Sequence, residues 1–159
     1  MTDTLHRLRG TAVSELDMRT LGRGDASVLA VLEKECFSCP WSEESFYECL
    51  GNGRFYFVGL FENDELIGYG GLVTVLDEGD VANIAVRSDK RGQGLGKMLL
   101  NALCEEAEKR GVIYLHLEVR ESNAPARHLY EGFGFITDGI RKNYYTKPQE
   151  NAVLMTKKL

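Results

Sequence analysis

A glycine-rich segment with basic neighbours is the first part of this sequence that could bind a ligand. Residues 94–110 have an apolar spacing that predicts a helix. Three glycines lie just before or within its first turn: Gly92, Gly94 and Gly96. Backbone N–H groups at a helix N-terminus can bind an anion, and glycines let the anion approach the backbone closely. Four basic residues add positive charge: Arg87, Lys90, Arg91 and Lys97. The segment therefore predicts a phosphate-binding loop.

Two common nucleotide-binding motifs do not fit this loop. A Walker A motif would need glycine at position 91 and Ser or Thr at position 98, where the sequence has Arg91 and Met98. A Rossmann motif would need glycine at position 97 or 99, where Lys97 and Leu99 stand. The pattern that does match is R-x-x-G-x-G, over residues 91–96.

A predicted strand over residues 114–119 carries two candidates for proton transfer. Alternation puts Leu115, Leu117 and Val119 on one face, so His116 and Glu118 lie on the other. A carboxylate or an imidazole can accept a proton from an amine. The pattern is equally that of an exposed strand surface, and by itself it does not choose between the two residues.

Asn123 and Tyr130 form a second candidate pair. Asn123 can cap a short helix that tolerates Pro125 in its first turn, and Tyr130 follows seven residues later, about two helical turns. The two side chains could therefore face the same side. Tyr130 could donate a proton there, or it could simply anchor the helix in the core.

The cysteines do not predict a metal or redox centre. Cys36 and Cys39 have C-x-x-C spacing, but no second Cys or His pair stands at metal-ligand spacing. With Cys49 and Cys104 the chain has four cysteines, which are too few for a disulfide scaffold in 159 residues. We expect reduced thiols and no bound metal.

The elements that must position these residues follow one another as β, α, α, β, β, β, α, β, α, β, β. This order predicts a mixed α/β sheet covered by helices. We expect one domain over residues 14–159, preceded by a polar leader over residues 1–13. The longest apolar run, residues 55–61, is far shorter than the roughly 20 residues of a membrane helix, and the leader lacks the apolar stretch of a signal peptide. We therefore expect a cytoplasmic protein with no membrane partner.

Charge is distributed unevenly along the chain. Residues 1–80 carry 6 Lys and Arg against 15 Asp and Glu, whereas residues 81–159 carry 13 against 9. An acidic half suits a cationic partner and a basic half suits a polyanionic cofactor, although two differently solvated surfaces would give the same pattern. The net charge of −5 argues against direct nucleic-acid binding.

Several segments resemble, in the same order, the ribosomal-protein-alanine N-acetyltransferases of bacteria, a branch of the GCN5-related N-acetyltransferases (GNAT). The R-x-x-G-x-G pattern alone resembles only the wider superfamily. The segments are 39–42 (CPWS), 83–86 (NIAV), 91–96 (RGQGLG), 117–120 (LEVR), 122–123 (SN), 126 with 129–131 (A, LYE), 134–135 (GF) and 141–145 (RKNYY).

The resemblance implies a GNAT fold, with a mixed and mostly antiparallel sheet of about six to seven strands and about four helices. It also implies acetyl-CoA as cosubstrate, with Glu118 as general base and Tyr130 as general acid. The residues implied to contact acetyl-CoA are Ile84, Ala85 and Val86 along the pantetheine arm, Arg91, Gly92, Gln93, Gly94, Leu95, Gly96 and Lys97 at the pyrophosphate, and Asn123.

The acceptor that the resemblance implies is the N-terminal alanine of a small-subunit ribosomal protein, which is a basic protein. Two alternatives remain at this point. The same fold could acetylate a lysine or a small-molecule amine, or the domain could bind acetyl-CoA as a regulatory module without turnover.

Overall fold

The computed structural model describes residues 4–9 and 15–159, and these form one eight-stranded sheet with helices on both faces. The strands lie side by side in the order β1-β2-β3-β4-β5-β6-β8-β7. Their bounds are β1 Thr4–Arg9, β2 Glu15–Thr20, β3 Phe55–Glu62, β4 Glu65–Val75, β5 Glu78–Val86, β6 Tyr114–Arg120, β7 Ile136–Tyr145 and β8 Glu150–Lys158. The helices are α1 Ala26–Cys36, α2 Glu43–Leu50, α3 Leu95–Lys109 and α4 Ala124–Gly132.

The mixed, mostly antiparallel sheet and the four helices confirm the expected fold class. The sheet has one strand more than expected, because Thr4–Arg9 of the polar leader pairs with β2 as an edge strand. The expected start of the domain at residue 14 lies outside the described residues.

The two faces of the sheet are covered by different helices. On one face, Leu29 of α1 and Phe46 of α2 are fully buried, and the Phe46 ring lies edge-on to Phe57 and Tyr69 of the sheet. On the other face, α3 buries the apolar side that its spacing predicts, including Leu103. Leu103 lies so close to β4 that a Cβ atom on Gly70 would be 3.1 Å from its Cδ1.

One pair of strands does not stay together along its length. β5 and β6 are the parallel neighbours in the sheet, and their pairing covers only Glu78 to Asp80 against Tyr114 to His116. Beyond this point β5 remains paired with β4 as far as Val86, and β6 remains paired with β8 as far as Arg120. A gap therefore opens between the carboxyl ends of β5 and β6.

The gap collects the segments that follow both strands. β5 leads through residues 87–94 into α3, and β6 leads through residues 121–123 into α4. Ligands of α/β proteins commonly bind outside the carboxyl ends of strands.

Within residues 4–9 and 15–159, no helix is both long enough and apolar enough to cross a membrane.

Packing of α3 against the sheet should dominate stability. Leu103 is 0% exposed, so Leu103→Ala should lower the free energy of unfolding by about 2–5 kcal/mol through lost contacts and a residual cavity. Val31→Ala, at a position that is 70% exposed, should change it by no more than about 0.5 kcal/mol. Equilibrium urea unfolding measures both values, and equal losses would contradict this account of the core.

Candidate active site

The β5 wall of the gap ends in a carbonyl that organises the next loop. Val86 O accepts a hydrogen bond from Arg91 Nε at 3.0 Å, and Cys36 Sγ lies 3.6 Å from the same oxygen. Arg91 therefore ties the glycine loop back to the end of β5. The neighbouring residues Ile84 and Ala85 lie beyond the pairing with β6, with Ala85 buried and Ile84 half-buried.

The glycine loop has the backbone conformation that its sequence suggests. Gly92 and Gly94 have φ of +77° and +80°, a left-handed conformation that disfavours any residue with a Cβ atom. The first intrahelical bond of α3 runs from Met98 N to Gly94 O at 3.2 Å. The amides of residues 95–97 precede that bond, so they have no acceptor within the helix and can bind an anion.

The basic residues around this loop do not all face it. Arg87 pairs with Asp89 at 2.7 Å and with Glu65 at 2.9 Å, and Lys90 pairs with Glu62 at 2.8 Å. Their charges are therefore largely compensated. Arg91 and Lys97 are exposed beside the loop and remain its nearest basic side chains in the sequence.

Glu118 lies on β6 where the strand borders the gap. Its side chain is 31% exposed, and Arg141 of β7 approaches it with Nη1 3.1 Å from Oε1. Tyr144 also hydrogen-bonds Glu118, and this bond is the main cause that raises the pKa of the Tyr144 phenol. The guanidinium of Arg141 lies 5.1 Å from the centre of the Tyr144 ring. Two β7 side chains therefore hold the carboxylate in place.

His116 occupies a different position from Glu118, although both lie on one face of β6. It stands opposite Asp80, where β5 and β6 are still paired. Its Nδ1 lies 2.8 Å from Thr156 Oγ1, and that hydroxyl donates its proton to Asp138. This arrangement places His116 outside the gap, whereas Glu118 lies beyond the last pair of β5 and β6.

Tyr130 is nearly buried on α4. It is 8% exposed, its ring meets Phe135 edge-on at 5.8 Å, and burial raises the pKa of its phenol to about 12. The phenol is therefore protonated at neutral pH and can donate. Tyr145 interacts electrostatically with both Tyr130 and Glu118, so the three groups lie in one region.

Asn123 caps α4 as predicted. Its Oδ1 accepts a hydrogen bond from Ala126 N at 3.2 Å, and Asn123 itself is exposed. Since the oxygen is used by the cap, the side-chain amide N–H groups are the part of Asn123 available to a ligand. α4 also touches the start of α3, because a Cβ atom on Gly96 would lie 3.5 Å from Leu129 Cδ2.

The segment between α1 and α2, residues 37–42, forms the other side of this region; we call it the α1–α2 loop. Cys39 Sγ lies 3.6 Å from Thr146 Oγ1, so the loop contacts the turn between β7 and β8. Trp41 packs against Phe46 and Phe57 at 5.4 and 6.5 Å between ring centres. Leu117 and Val119 of β6 pack in the same core as α3, so Glu118 points to the other sheet face, on which α1 and α2 lie. These two helices pack on β3, β4 and β5 and leave the β6 part of that face uncovered.

A cleft with a glycine loop at one end and a carboxylate on one wall suits transfer chemistry, and comparison with known proteins identifies the family. The profile described as "Acetyltransferase (GNAT) family" matches residues 27–135. The chain belongs to the GNAT acetyltransferase family. The fold and the enzyme class implied by the sequence resemblance are therefore confirmed.

Among curated relatives, this acetyltransferase is 44% identical over 126 residues to "[Ribosomal protein bS18]-alanine N-acetyltransferase" of Escherichia coli K12, covering 78% of this chain and 84% of that protein. The protein of the same name from Haemophilus influenzae is 43% identical over 134 residues, covering 82% and 90%. The crystal structure of the E. coli ribosomal-protein-S18-alanine N-acetyltransferase superposes with a TM-score of 0.82 at 39% identity, covering 89% of this chain and 92% of that one.

Sequence reasoning predicted the glycine loop and named Glu118 as a candidate, but it did not predict the contacts around Glu118. Arg141, Tyr144 and Tyr145 were noticed only as part of the segment at 141–145. Their basic and aromatic character was a signal, but their approach to Glu118 depends on β8 lying between β6 and β7 in the sheet.

The buried phenol makes a direct prediction. Ultraviolet difference titration of the wild type against Tyr130→Phe should isolate one phenol that ionises near pH 12, because burial disfavours its charged form. The raised pKa stabilises the fold below the unfolded value of about 10, and this contribution is lost as the pH rises toward about 12. The Tyr130→Phe variant should therefore lose less stability over this alkaline range. A phenol that ionises near pH 10 would contradict the burial.

Proposed function

We propose that this acetyltransferase transfers the acetyl group of acetyl-CoA to the free N-terminal alanine of a small-subunit ribosomal protein. The observation that carries the proposal is the gap between β5 and β6, which has a free-amide loop at one end and Glu118 on its other wall. The names of the relatives support the choice of acceptor. Ribosomal proteins occur in the cytoplasm, which is where we place the reaction.

The described residues fit acetyl-CoA in several respects. An extended pantetheine arm can form hydrogen bonds with a strand edge that has no neighbouring strand, which suits Ile84, Ala85 and Val86. Gly92 and Gly94 have open space where a Cβ atom would stand, so a pyrophosphate can approach the amides of residues 92–97. The amide group of Asn123 faces solvent beside the start of α4 and can donate to the cofactor.

The proposed reaction is direct attack. Glu118 accepts the proton that the amine gives up, directly or through one water, and the neutral amine nitrogen attacks the thioester carbonyl carbon. As the new C–N bond forms the C–S bond breaks, and Tyr130 gives its phenolic proton to the departing thiolate. The nitrogen loses its second proton as it becomes an amide, and a proton relayed through water restores the Tyr130 phenol. Holding both substrates in one cleft supplies much of the rate.

None of the four cysteines is needed as a nucleophile. All are free thiols, and Cys104 is buried within α3. Burial raises the pKa of Cys36, Cys49 and Cys104, which disfavours the reactive thiolate. An acetylated cysteine intermediate is therefore not part of the proposal.

An α-amino group is the amine that suits this base best. With a pKa near 7.7–8.0, about one tenth of it is neutral at pH 7, whereas lysine at about 10.4 is neutral in roughly one molecule in 2,500. The acidic first half of the chain also suits a basic protein.

The acceptor is tested with a basic peptide that begins with alanine and contains internal lysines, beside the same peptide with a blocked N-terminus. We expect acetyl-CoA-dependent thiol release only with the free N-terminus, and fragment masses that place the acetyl group on alanine. Equal turnover of the blocked peptide would identify a lysine acetyltransferase. Binding of acetyl-CoA without turnover of any amine would indicate a regulatory module.

The roles of the two site residues are tested together. Glu118→Gln and Tyr130→Phe should each lower kcat by about 10²–10⁴-fold, the usual range for a lost general acid or base. His116→Asn keeps a polar group beside Thr156 and should leave kcat within about threefold, because His116 lies where the strands are still paired. Loss of activity in His116→Asn with retention in Glu118→Gln would reverse the assignment.

A further inference from the structure

Glu33 of α1 is a buried carboxylate that the proposed chemistry does not use. Glu33 is 1% exposed, and among residues 15–159 it is the one charged or polar residue that is buried. Burial raises the pKa of its carboxyl group, and hydrogen bonds from three neighbours act in the opposite direction. Such a group is costly to keep where an apolar side chain would pack.

Three donors from three different parts of the chain meet at this carboxylate. Oε1 accepts from Trp41 N at 3.3 Å and from Asn83 Nδ2 at 3.2 Å. Oε2 accepts from the hydroxyl of Tyr69. All three donors are neutral, and no lysine or arginine within residues 15–159 forms an ion pair with Glu33.

Two of the three donors, Asn83 and Trp41, belong to parts of the site. Asn83 directly precedes Ile84 on the β5 wall of the gap. Trp41 lies in the α1–α2 loop, and Cys39 of this loop contacts the turn after β7. β7 also carries Arg141, which forms the ion pair with Glu118. Oε1 alone therefore links the loop on the acceptor side to the strand on the cofactor side.

We propose that Glu33 is a positioning residue for the acceptor, because it fixes the α1–α2 loop at a set distance from β5 through the Trp41 N–H and Asn83. The loop then forms a rigid side of the groove into which the acceptor N-terminus enters beside Glu118. The choice of acceptor rests on the proposed function, whereas the anchoring of the loop does not.

Two conservative variants separate anchoring from charge. Glu33→Gln keeps an oxygen for Trp41 N and Asn83 Nδ2, and its new N–H can donate to the hydroxyl of Tyr69, which can accept. Glu33→Asp keeps the charge but is one methylene shorter, so it cannot reach all three donors. If reach is what matters, Gln should behave like the wild type and Asp should not.

The readouts are the two KM values and the fluorescence of Trp41, which is the single tryptophan of the chain. Glu33→Asp should raise the KM for the acceptor peptide by about tenfold or more, because a hydrogen bond to a charged group is lost. The KM for acetyl-CoA should change by less than about threefold. Acrylamide should quench Trp41 more strongly in Glu33→Asp than in the wild type or in Glu33→Gln. Glu35→Asp is the matched control on the exposed side of the same helix and should change none of these values.

The outcomes are distinct. If a folded Glu33→Asp variant shows an unchanged acceptor KM and unchanged quenching, the proposal is overturned. Equal increases of both KM values in Glu33→Asp would also overturn it. So would a Glu33→Gln variant that is as impaired as Glu33→Asp. If Glu33→Asp does not fold, Asn83→Leu removes one donor and should still raise acceptor KM and Trp41 quenching together; no change there would overturn the proposal. A wild-type chain that acetylates no amine would overturn the proposed function instead, and quenching would still report on the anchor.

Discussion

The parting of β5 from β6 is the constraint on which the rest of the site depends. Strand pairing normally satisfies the backbone polar groups of a parallel sheet, and here it stops at Asp80 and His116. The strand edges beyond that point need water or a ligand as partners. The segments that follow the two strands bring the glycine loop and Asn123 to the same opening. A single interruption of pairing therefore gathers residues that are far apart in the sequence.

Charge in this site is controlled by local partners rather than by the net charge of either half of the chain. Arg87 and Lys90 are held by carboxylates, whereas Arg141 is directed at Glu118. An ammonium group arriving as acceptor can replace the guanidinium at Glu118, since Arg141 is 54% exposed and can move into solvent. The ion pair with Arg141 thus orients the Glu118 carboxylate.

The sequence predicted the elements that local rules determine. The apolar spacing of α3, the alternation of β6 and the cap at Asn123 all appear in the structure. It did not predict the edge strand at Thr4–Arg9, because that strand depends on pairing with β2 rather than on a pattern within the segment itself.

The contacts of the site were less accessible to sequence reasoning. Glu118 and His116 share one face of β6 by alternation, but their difference arises from where β5 stops pairing, which involves residues more than thirty positions away. The three donors to Glu33 likewise come from the α1–α2 loop, β4 and β5. These segments are far apart in the sequence, so no helix or strand periodicity predicts that they meet. Resemblance supplied the proposed roles that spacing left open, and the structure places Glu118 beside the gap and His116 where the strands are still paired.

The most direct test of the central claim is the structure of the protein bound to coenzyme A joined covalently to an alanine-initiated peptide. The account predicts that the pantetheine arm lies between β5 and β6, that the pyrophosphate contacts the amides of residues 92–97, and that the alanine nitrogen reaches Glu118 directly or through one water while Arg141 has moved away. A pantetheine arm outside the gap, or an alanine nitrogen bonded to His116 with the Arg141 to Glu118 pair intact, would contradict it.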